Sequence, residues 1–401
     1  MKNLILLGIF FLFVHEGFTQ QPVMKQLEAK VLMEQEKYDM ALEVLRSEAT
    51  TQKSNYMVFR AMGDCQYLKK DYPGAITIYL KADSISKNSC SYELARSYAL
   101  TGDKKSSLLW LEKHLTGNQK KTELQVTTDP AFDILAHSAE WNEFWKKTWY
   151  SENETEINAI NALLMKSKPN DALNELDVYQ AKLSPKHVYY SLQAKAFDLQ
   201  NLTEQAILSI NQAIERHPLS DEYLSFRAGL YLKTNKYSEA LDDITKAVQM
   251  NRLIPSYYLK RAEIARLVGN MKIAESDLKI YQGLYPESVE TNHQLGLLEK
   301  AKGNHLTALA YYDKVLEKDV TKPSYFLERG IIAFEVKQIE KADEDFGMAL
   351  DLDPHLAEAY LQKGNTRLIL QDNDGACYCW KKAKQFGNSD AAKLIYQNCK
   401  E

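Results

Sequence analysis

The chain has 401 residues, 26% charged and 45% hydrophobic, with a formal net charge of −4. That is an ordinary soluble composition, long enough for one solenoid or two or three globular domains, and its near-neutral balance argues against a nucleic-acid binder. Only 10 prolines and 16 glycines, with few β-branched clusters, favour an all-helical chain, and 24 tyrosines suit positions that need a large side chain with a polar tip.

Residues 1–19 read as a secretory signal peptide. Lys2 is the positive start, Leu4 to Val14 form an unbroken apolar run, and Gly17-Phe18-Thr19 offer small residues at the −3 and −1 positions before Gln20. The run is too short to span a bilayer of ~30 Å, no cysteine at the cleavage site supports a lipid anchor, and no other apolar stretch is long enough to cross. The expectation is an exported protein, periplasmic or extracellular, with no stable membrane span.

Residues 20–118 carry a first array of about three repeated units. Ala41 and Ala75 stand at a spacing of 34, Tyr38 and Tyr72 each stand three before them, and Gly63 is twelve before Ala75. In the third unit Ala95 takes the small position and Ser107 the place of the alanine, at a spacing of 32. Residues 119–150 break the pattern. Asp129, Pro130, Phe132 and Leu135 precede Trp141 and Phe144, and Trp141, Trp145 and Trp149 fall at helical spacing. Read as one helix face, these tryptophans either cap the open end of the first array or form an exposed stripe that docks a partner; the cap is favoured, because terminal repeats need covering.

Residues 151–387 hold a stricter pattern. Ala172, Ala206, Ala240, Ala274, Ala308, Ala342 and Ala376 recur at a constant spacing of 34, with no slip. Twelve positions earlier stand Ala194, Ala228, Ala262, Gly296, Gly330 and Gly364, and four positions after the alanines stand Leu176, Ile210, Ile244, Leu278, Tyr312, Phe346 and Trp380. Pro218, Pro286 and Pro354 close three units, since proline cannot continue a helix. The small residues let two helices approach, and the large residue one turn on fills the space beside them. A 34-residue period with these columns resembles the tetratricopeptide repeat family. The chain is thereby identified as an all-α tetratricopeptide helix-hairpin solenoid of about ten repeats in two arrays.

The resemblance carries further expectations. The Asp129–Phe144 run looks like a helical segment found at the ends of such arrays. In the family the first helix of each repeat lines a concave groove through its second, fifth, ninth and twelfth residues. In the second array this marks Lys195, Glu263, Arg266, His293, Leu297, Leu327, Ile331, Phe334 and Asn365 as candidate partner-binding residues, mixed in the middle and apolar toward the end. The Lys/Asn clamp with which some members hold a C-terminal carboxylate is not reproduced. The end of the chain, Ala376, Cys377, Trp380 to Ala383, Gly387, Ala391, Leu394, Ile395 and Cys399, is similar to secreted bacterial tetratricopeptide proteins.

Residues 388–401 read as a capping helix after a stop at Gly387, with Ser389 or Asp390 as its cap. Cys65, Cys90, Cys377, Cys379 and Cys399 remain after export, and a disulfide from Cys377 or Cys379 to Cys399 would staple the last helix in an oxidising compartment. The spacing fits a metal site poorly. No H-E-x-x-H, G-x-S-x-G or phosphate-loop motif occurs, and the acidic pairs Asp242-Asp243 and Glu344-Asp345 read as a solvated face. The expectation is therefore a non-catalytic envelope scaffold without cofactor or metal, binding an unknown protein or peptide in the groove. The competing expectation is an assembly subunit docking through Trp141, Trp145 and Trp149.

Overall fold

The computed structural model describes residues 24–117 and 120–399, so the signal-peptide residues 1–19 lie outside it. Regular structure among the described residues is entirely helical. It divides into two compact units, Met1–Asn235 with Lys246–Pro255, and Lys236–Thr245 with Ser256–Glu401.

In the first unit, hairpins pair helix 24–34 with Tyr38–Thr51, Tyr56–Leu68 with Tyr72–Ile85, and Ser91–Leu100 with Lys104–Leu115. The short helices Glu123–Thr127 and Ala139–Phe144 follow, then Glu152–Met165 with Pro169–Tyr179 and Lys186–Leu199 with Thr203–Arg216. In the second unit Val289–Ala301 pairs with His305–Lys318, Pro323–Glu335 with Ile339–Leu352, and Ala357–Ile369 with Asn373–Gln385, before a last helix Ala391–Asn398. Helix starts carry local caps: Asp71, Asp103, Ser288 and Asp372 each accept a backbone N–H of the first turn.

All seven alanines of the ladder are fully buried. The small column ahead of them is graded to its partner sixteen residues later. Gly296 faces Tyr312, Gly330 faces Phe346 and Gly364 faces Trp380, where an added Cβ would lie 2.7, 2.7 and 2.4 Å from the ring. Where that partner is aliphatic, as in Ala194 with Ile210 and Ala262 with Leu278, alanine fits. Close packing leaves no room for both a ring and a methyl group. Ser107 meets the same demand: it is buried and its hydroxyl donates to the Ala95 carbonyl at 2.8 Å. The turn inside each hairpin needs a left-handed residue, with φ between 53° and 80° at 167, 201, 235, 269, 303, 337 and 371. Only Gly269 and Gly303 meet that need without steric cost.

Three sequence expectations change. The tryptophans do not share a helix face, because the helix ends at Phe144. The chain folds back so that Trp149 Nε1 donates to the Phe144 carbonyl at 3.0 Å. Trp141 and Trp149 are buried with Phe132, Leu135 and Phe144 against Tyr92 and Leu111, with Trp145 packed beside them. The acidic pairs are only half solvated, since Asp243 and Asp345 are 3% and 2% exposed. Asp345 takes both arms of Arg329 at 2.6 and 2.9 Å, and Asp277 those of Arg261 at 2.6 and 2.7 Å, each pair sixteen residues apart across one hairpin. At the equivalent place in the hairpin between them stand Leu295 and Tyr311, both in the apolar core. Finally, Asp390 makes no side-chain cap; Asn388 Oδ1 accepts the Asp390 and Ala391 N–H groups instead.

Candidate functional site

The site grows from the inner positions of the first three hairpins. If Gly63 and Ala95 are the eighth residues of their units, the inward places fall on Met57, Arg60, Asp64 and Tyr67 of one helix and on Arg96 of the next. Together with Lys30 and Met33 of helix 24–34, these line a cavity of about 810 Å³ in the first unit, bounded also by Tyr56, Tyr79 and Leu253. That volume is in the range of clefts that bind small molecules or side chains.

Polar groups inside the cavity are unevenly satisfied. Arg60 pairs with Glu93 at 2.5 Å. Arg96 places Nε 2.8 Å from the Asp129 carboxylate and its guanidinium 4.5 Å from the centre of the Tyr67 ring. Lys30 Nζ lies 3.5 Å from the Leu253 carbonyl. Asp64 accepts a hydrogen bond from the Tyr79 hydroxyl at 2.8 Å and, among the described residues, has no lysine or arginine nitrogen at ion-pair distance. Burial pushes its pKa up to about 6, against the smaller pull of Tyr79 and of the more distant Arg60 and Arg96 charges. A second cavity of about 690 Å³ in this unit lies beside the helices Glu123–Thr127 and Glu152–Met165. Its walls carry threonine, asparagine and glutamine side chains over a mainly apolar surface, with Leu124 and Met165 exposed at its edge.

The sequence-marked residues of the second array fall in both units. Lys195 is exposed and belongs to the first unit; the other eight belong to the second. There Glu263, Arg266 and His293 form a half-buried polar group. Burial raises the Glu263 pKa against the Arg266 charge, and burial lowers that of His293. His293 Nδ1 stands 3.1 Å from the Tyr312 hydroxyl, and Arg266 Nε is buried without a hydrogen-bond partner. Leu297 is half-buried. Leu327, Ile331 and Phe334 pack partly onto the hairpin core rather than standing free. Asn365 accepts from Trp380 Nε1 at 3.2 Å. Cys377 is joined to Cys399 by a disulfide, Cys379 is a buried thiol, and the bond ties the last helix to its neighbour. Among the described residues no group of three or more His, Cys, Asp or Glu is placed to hold a metal ion, and no helix is long and apolar enough to cross a membrane.

Comparisons with known proteins agree with this architecture. A tetratricopeptide repeat family model matches residues 192–258. A DnaJ protein P58IPK homolog of Arabidopsis thaliana is 25% identical over 194 residues, covering 44% of this chain and 39% of that protein. An Hsp70-Hsp90 organizing protein of Triticum aestivum is 27% identical over 202 residues, covering 48% and 32%. The chain thus spans well under half the length of these relatives. A solved tetratricopeptide repeat protein of Parabacteroides merdae superposes with a TM-score of 0.52 at 19% identity, covering 61% of this chain and 97% of that one. The APC/C hetero-tetramer Cut9-Hcn1 gives 0.54 at 14% identity, covering 94% and 83%. Period, packing columns, the family match over residues 192–258 and superposition converge on a tetratricopeptide-repeat fold.

Proposed function

We propose that this chain is an exported, non-catalytic scaffold that receives a segment of another protein on the inner faces of its repeats. The observation that carries the reading is the cavity of about 810 Å³ walled by inner-position side chains of the first three hairpins. Solvent-accessible aromatic and charged groups converging on a concavity are what peptide recognition requires, whereas the large apolar side chains of the same hairpins are spent on the core. Similarity to an Hsp70-Hsp90 organizing protein, whose name records work on other proteins, supports the same class. Docking through Trp141, Trp145 and Trp149 is disfavoured, since two of the three are buried. Export rests on residues 1–19 and predicts a mature chain that begins at Gln20, which N-terminal sequencing of the secreted protein checks.

The binding test is affinity capture of envelope proteins on the immobilised mature chain, repeated with Met57→Glu/Tyr67→Glu, Leu327→Glu/Phe334→Glu and Trp145→Ala. Specific partners should be lost with one of the inner-face variants and kept with Trp145→Ala. Loss with Trp145→Ala alone would favour the assembly reading.

A further inference from the structure

We infer that the first-unit cavity receives the side chain of a lysine or arginine from its peptide partner, with the Asp64 carboxylate as counter-ion. The inference rests on the scaffold reading and names the chemistry of its partner. Two of the three cations at the cavity already have carboxylates, Arg60 in Glu93 and Arg96 in Asp129. Asp64 has only the Tyr79 hydroxyl.

A carboxylate drawn out of water with one neutral donor is costly, and a ligand cation would relieve that cost through a charge-assisted hydrogen bond. The walls suit the rest of such a side chain. Tyr56 lines the cavity beside Tyr67, whose ring already holds the Arg96 guanidinium, and Met33 and Met57 offer apolar surface to its methylene stem. An acidic side chain would meet Lys30 but would sit beside the uncompensated Asp64, with the two arginines already engaged. The groups that face Asp64 are Arg60 on its own helix, Tyr79 on the next, Glu93 and Arg96 on the third, and Lys30 and Glu34 on helix 24–34. Burial, with a smaller push from the Glu93 charge, outweighs the pull of Tyr79, Arg60 and Arg96 and raises the Asp64 pKa to about 6, so the counter-ion is fully present only above that pH.

Short random peptides displayed on phage, selected against the full chain, test this. The expected result is a consensus with a fixed lysine or arginine. A synthetic peptide of that consensus should bind Asp64→Asn roughly tenfold or more weakly, the loss of one charge-assisted contact, and Asp64→Glu less so. Binding to the unaltered chain should weaken as pH falls through about 6. An acidic or uncharged consensus overturns the inference. So does a basic consensus whose affinity is unchanged in Asp64→Asn but lost in Leu327→Glu/Phe334→Glu, a result that leaves the scaffold reading standing. Failure of the folded chain to enrich any peptide overturns both.

Discussion

Asp64 in the first unit and Asp343 in the second are both partly withdrawn from water, yet their pKa values move in opposite directions. At Asp343 burial pushes upward, but Arg367 at 2.7 and 2.8 Å and Lys363 at 3.0 Å together outweigh it, and the pKa falls below the usual aspartate value. At Asp64 burial outweighs the Tyr79 hydroxyl and the more distant Arg60 and Arg96 charges, and the pKa rises. The second unit closes Asp343 with cations from the first helix of the next hairpin, and the first unit leaves Asp64 turned to a cavity. A cation partner does not by itself guarantee a low pKa: at the deeply buried Asp277 burial still prevails over Arg261. What separates Asp64 is its place on a cavity wall with a neutral hydroxyl, rather than a cation, in hydrogen-bond contact.

The most severe way to probe the closed arrangement is to strand its cation. Asp345→Ala would leave Arg329, whose side chain is 18% exposed, with only the half-exposed Asp313 as partner. Removing one member of a buried pair costs about 3 to 5 kcal/mol. Chemical denaturation should show a loss of that order; a variant as stable as the unaltered chain would mean that the pair contributes little beyond what water or Asp313 can replace.

The architecture was legible because its signal is repeated. A close helix contact needs a small residue, and the contact recurs once in every repeat at a fixed interval, so the alanine ladder reports packing directly. The buried acids were missed for a reason of geometry. Asp243 and Asp345 sit beside Asp242 and Glu344, and adjacent acids look like one solvated face, although neighbours on a helix point about 100° apart. The missing signal was present: Arg227, Arg261 and Arg329 each stand sixteen residues before an aspartate, on the same period. The inner places of the first array are likewise readable from Gly63 and Ala95, which set the register of their helices. What no column could reveal was the unpaired state of Asp64, because its neighbours Glu93 and Asp129 find Arg60 and Arg96 only once the helices pack.

A smaller effect separates Asp64 from its closed counterparts through pH. Its folded pKa of about 6 lies above the 3.8 of an ordinary aspartate, so the folded chain holds the proton longer than the unfolded chain does. Its contribution to stability is complete below the lower value and is lost as pH rises through the higher one. Asp64→Asn removes that loss. Relative to the unaltered chain it should gain on the order of 2 kcal/mol between pH ~4 and ~7, followed by denaturant unfolding at a series of pH values. A flat difference would show that Asp64 already has a counter-ion in solution.

The smallest expected change sharpens the comparison most. Hairpin 323–352 uses Arg329 and Asp345 where hairpin 289–318 uses Leu295 and Tyr311, at the same places in the repeat. If that place requires only filled volume and no orphaned charge, Arg329→Leu combined with Asp345→Tyr should restore what Asp345→Ala loses. Replacing a buried ion pair by apolar groups is often neutral or favourable, and the neighbouring hairpin shows that the backbone accepts this pair. The double variant should lie within about 1.5 kcal/mol of the unaltered chain, with a strongly non-additive cycle against its single members. A double variant as unstable as Asp345→Ala would mean that the ion pair fixes helix geometry in a way an apolar pair cannot. In that case the closed carboxylates of the second unit would be positional devices, and the open one at Asp64 would stand further apart from them.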